Sequence, residues 1–196
     1  MPLRLEPHGA VFVVFRRAAR TPTREIPAES RAALATLGGP WTVTFPPDWG
    51  APAEVRLDSL TSWTASSDAG VKYFSGTGTY AKELDAPPDW FRPGARVVLD
   101  LGAVGDIAEV TVNGQPVGGV LWKAPYTVDV TGALRPGRNR LEVKVTNLWA
   151  NRVVGDLQPS ATKRYAFLGF PQLGKDMPLR ESGLLGPVRL DALTRE

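Results

Sequence analysis

From Trp41 onward, apolar and polar residues alternate with the period of β-strands. Tyr126, Val128 and Val130 fall on one face and Thr127 and Asp129 on the other. Leu141, Val143 and Val145 oppose Glu142, Lys144 and Thr146, and Val188–Ala192 repeats the pattern with Arg189 and Asp191 outward. A period of two marks strands with one buried face. Turn residues bound further strands over Thr42–Phe45, Glu54–Leu57, Gly76–Leu84, Arg96–Leu101, Ile107–Asn113 and Val117–Trp122. Asn113-Gly114 is a hairpin signal, because both residues of a tight two-residue turn need positive φ. Arg-Pro-Gly recurs before two strands, at Arg92-Pro93-Gly94 and Arg135-Pro136-Gly137. Short half-buried strands at roughly 8–15-residue spacing, with no regular helices between them, predict an all-β antiparallel β-sandwich or jelly roll.

Two stretches depart from that rhythm. Ala10–Phe15 is a continuous apolar, β-branched run, which fits a strand buried on both faces. Residues 16–40 read as a basic connector with Pro22 and Pro27, a short helix near Ala28–Leu37 and a break at Gly38-Gly39-Pro40. The chain is therefore expected to divide into residues 1–40, an extra strand plus linker, and residues 41–196, the sandwich. Between Leu148 and Pro187 the periodicity vanishes while aromatic and polar residues persist: Trp149, Asn151, Arg152, Asp156, Lys163, Arg164, Tyr165, Phe167, Phe170 and Lys175. Long irregular segments in compact domains are commonly functional, so this is where a site is sought.

Composition narrows the chemistry. The 196 residues contain no Cys and a single His, His8. Disulfides, thiol nucleophiles and cysteine–zinc sites are excluded, and only His8 could serve as an imidazole base. The 20 Gly and 18 Pro suit many short strands joined by turns rather than a helical bundle. The net charge of +3 is uneven: residues 1–40 hold six Arg and three acids, while the remainder is balanced. Such a body is not a nucleic-acid surface. No apolar run is long enough to span a membrane, and the N-terminus lacks a secretory signal pattern, so a soluble chain of unassigned compartment is expected. No phosphate loop, dinucleotide fingerprint or Asp-rich calcium loop is present, so neither a cofactor nor a metal is expected.

Several blocks carry a family resemblance: Ser75-Gly76-Thr77-Gly78-Thr79-Tyr80, Leu99-Asp100-Leu101-Gly102, and Ala108-Glu109-Val110-Thr111-Val112-Asn113-Gly114. The series continues through Gly118-Gly119-Val120-Leu121-Trp122-Lys123-Ala124-Pro125-Tyr126, Asn139-Arg140-Leu141-Glu142-Val143 and Ser182-Gly183-Leu184-Leu185-Gly186-Pro187-Val188. Together they resemble the sugar-binding, galactose-binding-like β-sandwich of glycoside hydrolase family 2 enzymes. Leu121-Trp122-Lys123 with Asn147-Leu148-Trp149-Ala150-Asn151-Arg152 is similar to the C-terminal sandwich of α-L-rhamnosidase-type hydrolases of family 106 and relatives. The resemblance covers residues 41–193. It implies that residues 2–15 are the closing strand of a preceding domain, and that the catalytic domain of a larger glycosidase lies upstream of Met1.

Sugar binding calls for aromatic faces that stack on pyranose C–H groups, flanked by amides, Arg and carboxylates that take the hydroxyls. The constellation that fits is Trp122, Tyr126, Trp149, Asn151, Arg152 and Asp156. Each ring could instead plug the core, and Arg152 and Asp156, four apart, could pair to hold the loop. Trp63, Asp68, Lys72 and Tyr73 form a second patch that reads as a loop packed on the sandwich. Glycoside hydrolysis needs two carboxyl groups across the scissile bond; Asp106, Glu109 and Asp156 are the acids best placed, although the resemblance locates catalysis elsewhere. The leading expectation is a non-catalytic carbohydrate-binding or domain-docking module whose partners are an oligo- or polysaccharide and a catalytic domain. The alternatives are a small stand-alone glycosidase using a carboxylate pair, and a purely structural buttress that self-associates through Val11–Phe15.

Overall fold

The computed structural model describes residue 5 and residues 9–18, 28–167 and 174–195. Its twelve strands are β1 (Glu29–Thr36), β2 (Trp41–Thr44), β3 (Glu54–Leu57), β4 (Thr77–Ala86), β5 (Arg96–Asp100), β6 (Ala103–Gly105), β7 (Ile107–Val112), β8 (Gln115–Leu121), β9 (Thr127–Asp129), β10 (Gly137–Thr146), β11 (Gly183–Gly186) and β12 (Arg189–Arg195). Two short helices interrupt them, α1 (Ala69–Lys72) and α2 (Ala150–Asp156). A six-stranded sheet in the order β3-β2-β4-β10-β7-β8 faces a four-stranded sheet in the order β1-β12-β5-β9, and β11 pairs with β6 alongside. All the strand pairings are antiparallel. The β-sandwich expected from the alternation is the observed fold. Among the described residues no helix is long and apolar enough to cross a membrane.

Alternation places the core between the sheets. Trp41 and Val43 of β2, Tyr80 of β4, Val110 and Val112 of β7, and Leu141, Val143 and Val145 of β10 are buried from one side. Val97, Leu99, Val128, Val188 and Leu190 meet them from the other. At Asn113-Gly114 both residues have positive φ, and Val112 faces Gln115 across the turn, as that dipeptide demands. The buried Asn139 amide closes the same end: it donates to the carbonyls of Arg135 and Gly137, both at 2.7 Å, and accepts from the Asn113 amide at 2.7 Å.

Three expectations change. Residues 29–36 form no helix: β1 pairs with β12 from Glu29↔Arg195 to Thr36↔Arg189, so this stretch belongs to the sandwich. Its Ala-rich composition favours helix locally, but without it β12 would present an unpaired edge. Asp191, expected to face solvent, is buried because β1 lays Arg31 over it, with Nε 2.7 Å from its Oδ2. Val11–Phe15 is apolar as read, yet it is assigned to no strand and pairs with none among the described residues; Phe12 and Phe15 are each 92% exposed. His8 and Phe170 lie outside the described residues.

The segment between β3 and β4 packs as expected of the Trp63–Tyr73 patch. Asp68 caps α1 by accepting from the Val71 amide at 3.1 Å. Trp63 is buried, and its amide donates to the Ser182 carbonyl at 3.0 Å. Next to it the Tyr80 hydroxyl accepts from the Leu184 amide at 2.9 Å. Burial pushes that hydroxyl well above the ordinary tyrosine range, partly offset by the Leu184 hydrogen bond. The fold thus holds Tyr80 neutral where the unfolded chain ionises near pH ~10. Above that pH the unfolded state binds fewer protons than the folded one, so stability falls as pH rises. Urea midpoints measured upward from pH ~9 are expected to drop more steeply for the parent chain than for Tyr80→Phe; parallel curves would refute the assignment.

Candidate functional site

The candidate residues gather where β7 begins and β8 and β10 end. Asp106, at positive φ before β7, fastens this end. Its Oδ2 accepts from the Leu148 amide at 3.1 Å, its carbonyl accepts from the Tyr126 hydroxyl at 2.8 Å, and its Oδ1 lies 3.8 Å from the Arg180 guanidinium. Burial, and then the Asp106 carboxylate, push the Tyr126 hydroxyl up. Tyr126 is therefore half-buried and engaged, and it serves the joint rather than an open platform.

Within the expected constellation, Trp122 and Trp149 are the rings that face outward, 68% and 56% exposed. Trp122 follows β8, whose last residue Leu121 pairs with Ala108, and Trp149 follows the Leu148 that Asp106 holds. Ile107, Val120 and Leu148 are exposed at the same end. These three companions escaped the sequence reading. Their signal was available: Ile107 and Val120 are apolar residues at outward positions of strands whose other faces fill the core. Single exposed apolar residues are ordinary, but a group of five around one end of a sandwich marks a contact surface.

The polar half of the constellation lies inside. Helix α2 is short and carries Val153, Val154 and Gly155, so tertiary contacts rather than propensity hold it. The Ser75 hydroxyl donates to the Leu148 carbonyl at 3.0 Å and accepts from the Arg152 amide at 3.1 Å. Asn147 accepts from the Gly76 amide and donates to the Phe74 carbonyl, both at 2.9 Å. Asn151 grips Arg180 in both directions, donating to its carbonyl at 2.7 Å and accepting from its amide at 2.9 Å. Asp156 Oδ2 accepts from the amides of Tyr165 and Ala166 at 2.8 and 2.7 Å. Its Oδ1 lies 2.9 Å from Arg152 Nε, an ion pair by distance although the two atoms are not aligned as a hydrogen bond. Asn151, Arg152 and Asp156 are all buried, so they bind the irregular segment to the sandwich.

The constellation expected from the sequence divides in two: Trp122 and Trp149 point out, while Asn151, Arg152 and Asp156 point in. Of the acids considered for catalysis, Asp156 has both oxygens committed internally, Asp106 holds the Leu148 turn, and Glu109 sits exposed on β7 in register with Lys144. Phe167 is 94% exposed, and Tyr165 is half-buried against Arg152.

No family model matches the chain. It is 39% identical over 183 residues to a putative beta-glucuronidase of Formosa agariphila, covering 82% of this chain and 16% of that protein. The structure of a rhamnosidase from Novosphingobium sp. PP1Y matches with a TM-score of 0.85 at 44% identity, over 91% of this chain and 17% of the rhamnosidase. A beta-glucuronidase from an uncultured Clostridium sp. shares the fold alone, at a TM-score of 0.60 and 20% identity over 89% of this chain and 30% of that one. The chain is related to glycoside hydrolases and spans 16% and 17% of the first two relatives' own lengths.

Proposed function

We propose that this chain is the non-catalytic β-sandwich of a larger glycoside hydrolase, of the α-L-rhamnosidase type, and that it docks onto the rest of that enzyme. One observation carries the reading: the end bearing Ile107, Val120, Trp122, Leu148 and Trp149 is apolar and exposed on a unit that corresponds to 17% of a rhamnosidase. Interface cores are rich in Trp, as this end is. Val11–Phe15, exposed and unpaired among the described residues, supports the same reading as a strand offered to a preceding domain. Residues 1–15 then belong to that domain, and the sandwich proper begins near β1.

A second reading rests on Trp122 and Trp149. Outward indole faces stack on pyranose rings, so this end also suits the rim of an oligosaccharide site. Asn151 and Asp156 add nothing to it directly, because their polar atoms are already paired.

Sedimentation velocity of the isolated chain tests the docking surface, which without its partner domain is expected to drive concentration-dependent self-association. Trp122→Ser with Trp149→Ser should render the chain monomeric with its melting temperature preserved. Phe12→Lys is the separate arm for the Val11–Phe15 segment. Calorimetric titration with rhamnose- and galactose-containing oligosaccharides reads the second role, and Trp149→Ala should remove any heat. A parent chain that is monomeric at all concentrations and silent to every glycan would overturn both readings.

A further inference from the structure

A cavity of about 160 Å³ lies between α1, α2 and the segment after α2. Its lining includes Gly50, Gly70, Tyr73, Arg152, Gly155 and Tyr165, with Ser160, Thr162 and Lys163 at the side. Three of these are glycines whose missing side chains shape it. A Cβ on Gly155 would sit 2.6 Å from an Arg152 Nη and 2.5 Å from the Tyr73 Cβ. One on Gly70 would lie 2.0 Å from the Gly50 carbonyl oxygen, and one on Gly50 would press the Tyr165 ring at 3.0 Å.

Arg152 forms part of this wall, and its side chain is only 8% exposed. Asp156 pairs by charge with the Nε side of the guanidinium, and no hydrogen bond from either Nη group is found among the described residues. The guanidinium carbon lies 4.8 Å from the centre of the Tyr165 ring, and Lys163 Nζ lies 4.8 Å from the same centre. Two cations thus converge on one aromatic ring, and Asp156 offsets only one of them. The Nη edge keeps contact with solvent, so it is open to an anion or to water. The planar Nη fork matches the two oxygens of a carboxylate or sulfate.

We infer that this cavity binds one sugar residue carrying an oxyanion, a carboxylate or a sulfate ester, with the oxyanion on the Nη edge of Arg152 and beside Lys163. Tyr73, Ser160 and Thr162 complete the lining with an aromatic side chain and two hydroxyls. Its lining residues are not those of the apolar end, so the two proposals can be tested separately.

Saturation-transfer NMR and calorimetry on the full chain, with glucuronate, galacturonate, glucose 6-sulfate, neutral glucose and sodium sulfate as probes, decide it. Acidic sugars are expected to bind at least about tenfold more tightly than glucose, and added salt should weaken them. Preference between the uronates and the sulfated sugar identifies which oxyanion the site takes. Lys163→Gln leaves the buried ion pair intact and should weaken acidic sugars about threefold or more. Arg152→Lys keeps the charge but loses the fork, and should cost about tenfold or more. Two results would each overturn the inference: acidic sugars no tighter than glucose, or binding untouched by Lys163→Gln in a chain whose melting temperature is unchanged. Sulfate ion matching the acidic sugars would overturn the sugar part, leaving a plain anion site.

Discussion

Asp156→Ala is expected to destabilise the chain by about 3–5 kcal/mol, the range for removing one partner of a buried ion pair. The carboxylate is 4% exposed and the Arg152 side chain 8%, so solvent screens neither. Three groups lose a partner at once: the Arg152 guanidinium its counter-charge, and the amides of Tyr165 and Ala166 their acceptor. The amides tie the segment after α2 back to the helix, so its release should appear as faster hydrogen exchange at Tyr165 and Ala166 in addition to a lower urea midpoint. Restoring an apolar pair with Arg152→Met and Asp156→Leu should recover much of the loss, because replacing both members of a buried pair by well-packed apolar side chains is often close to neutral. A loss below about 1 kcal/mol for Asp156→Ala would mean that the helix is held by Ser75 and Asn151 alone.

How much of this was legible in the sequence follows from where each signal is generated. The strands facing the core announce themselves through alternation, since Leu141, Val143 and Val145 are buried by one sheet face regardless of what lies elsewhere in the chain. Strand β1 was hidden because Ala32, Ala33 and Ala35 favour helix, and only the distant edge of β12 overrides that preference. Helix α2 was hidden for the opposite reason: Asn151, Val153, Val154 and Gly155 are poor helix formers, and it is held by Ser75 and Arg180 from remote parts of the chain. At the site, the spacing of Arg152 and Asp156 suggested a pair, and the pair exists. Its depth was not legible, because burial depends on Tyr73, Ser75 and the 157–166 segment packing against the helix. Nor could six tryptophans in a sequence be sorted by type alone into those that fill a core and those that face solvent.

That sorting yields the second large effect. Trp63→Ala is expected to cost about 3–5 kcal/mol, or to prevent folding at 37 °C, whereas Trp122→Ala should stay within about 0.5 kcal/mol of the parent. Trp63 is 2% exposed and sits among Phe45 and Phe74, each 5.4 Å away between ring centres, and parallel to Tyr80 at 6.3 Å. The backbone on both sides is fitted to the indole: a Cβ on Gly78 or on Gly183 would approach its atoms to 2.7 Å. No neighbour is free to collapse into the space, since these rings are buried against the sheet and the strand of Gly183 is held by the Leu184–Tyr80 hydrogen bond. The cavity term should therefore be near its maximum for the side chain removed. Trp63→Phe keeps part of the ring contact and should fall between the two, which preserves the comparison if the alanine variant does not fold. Equal losses at Trp63 and Trp122 in urea titrations would mean that the exposed indole is already covered within the isolated chain, and the apolar end could not then be its docking surface.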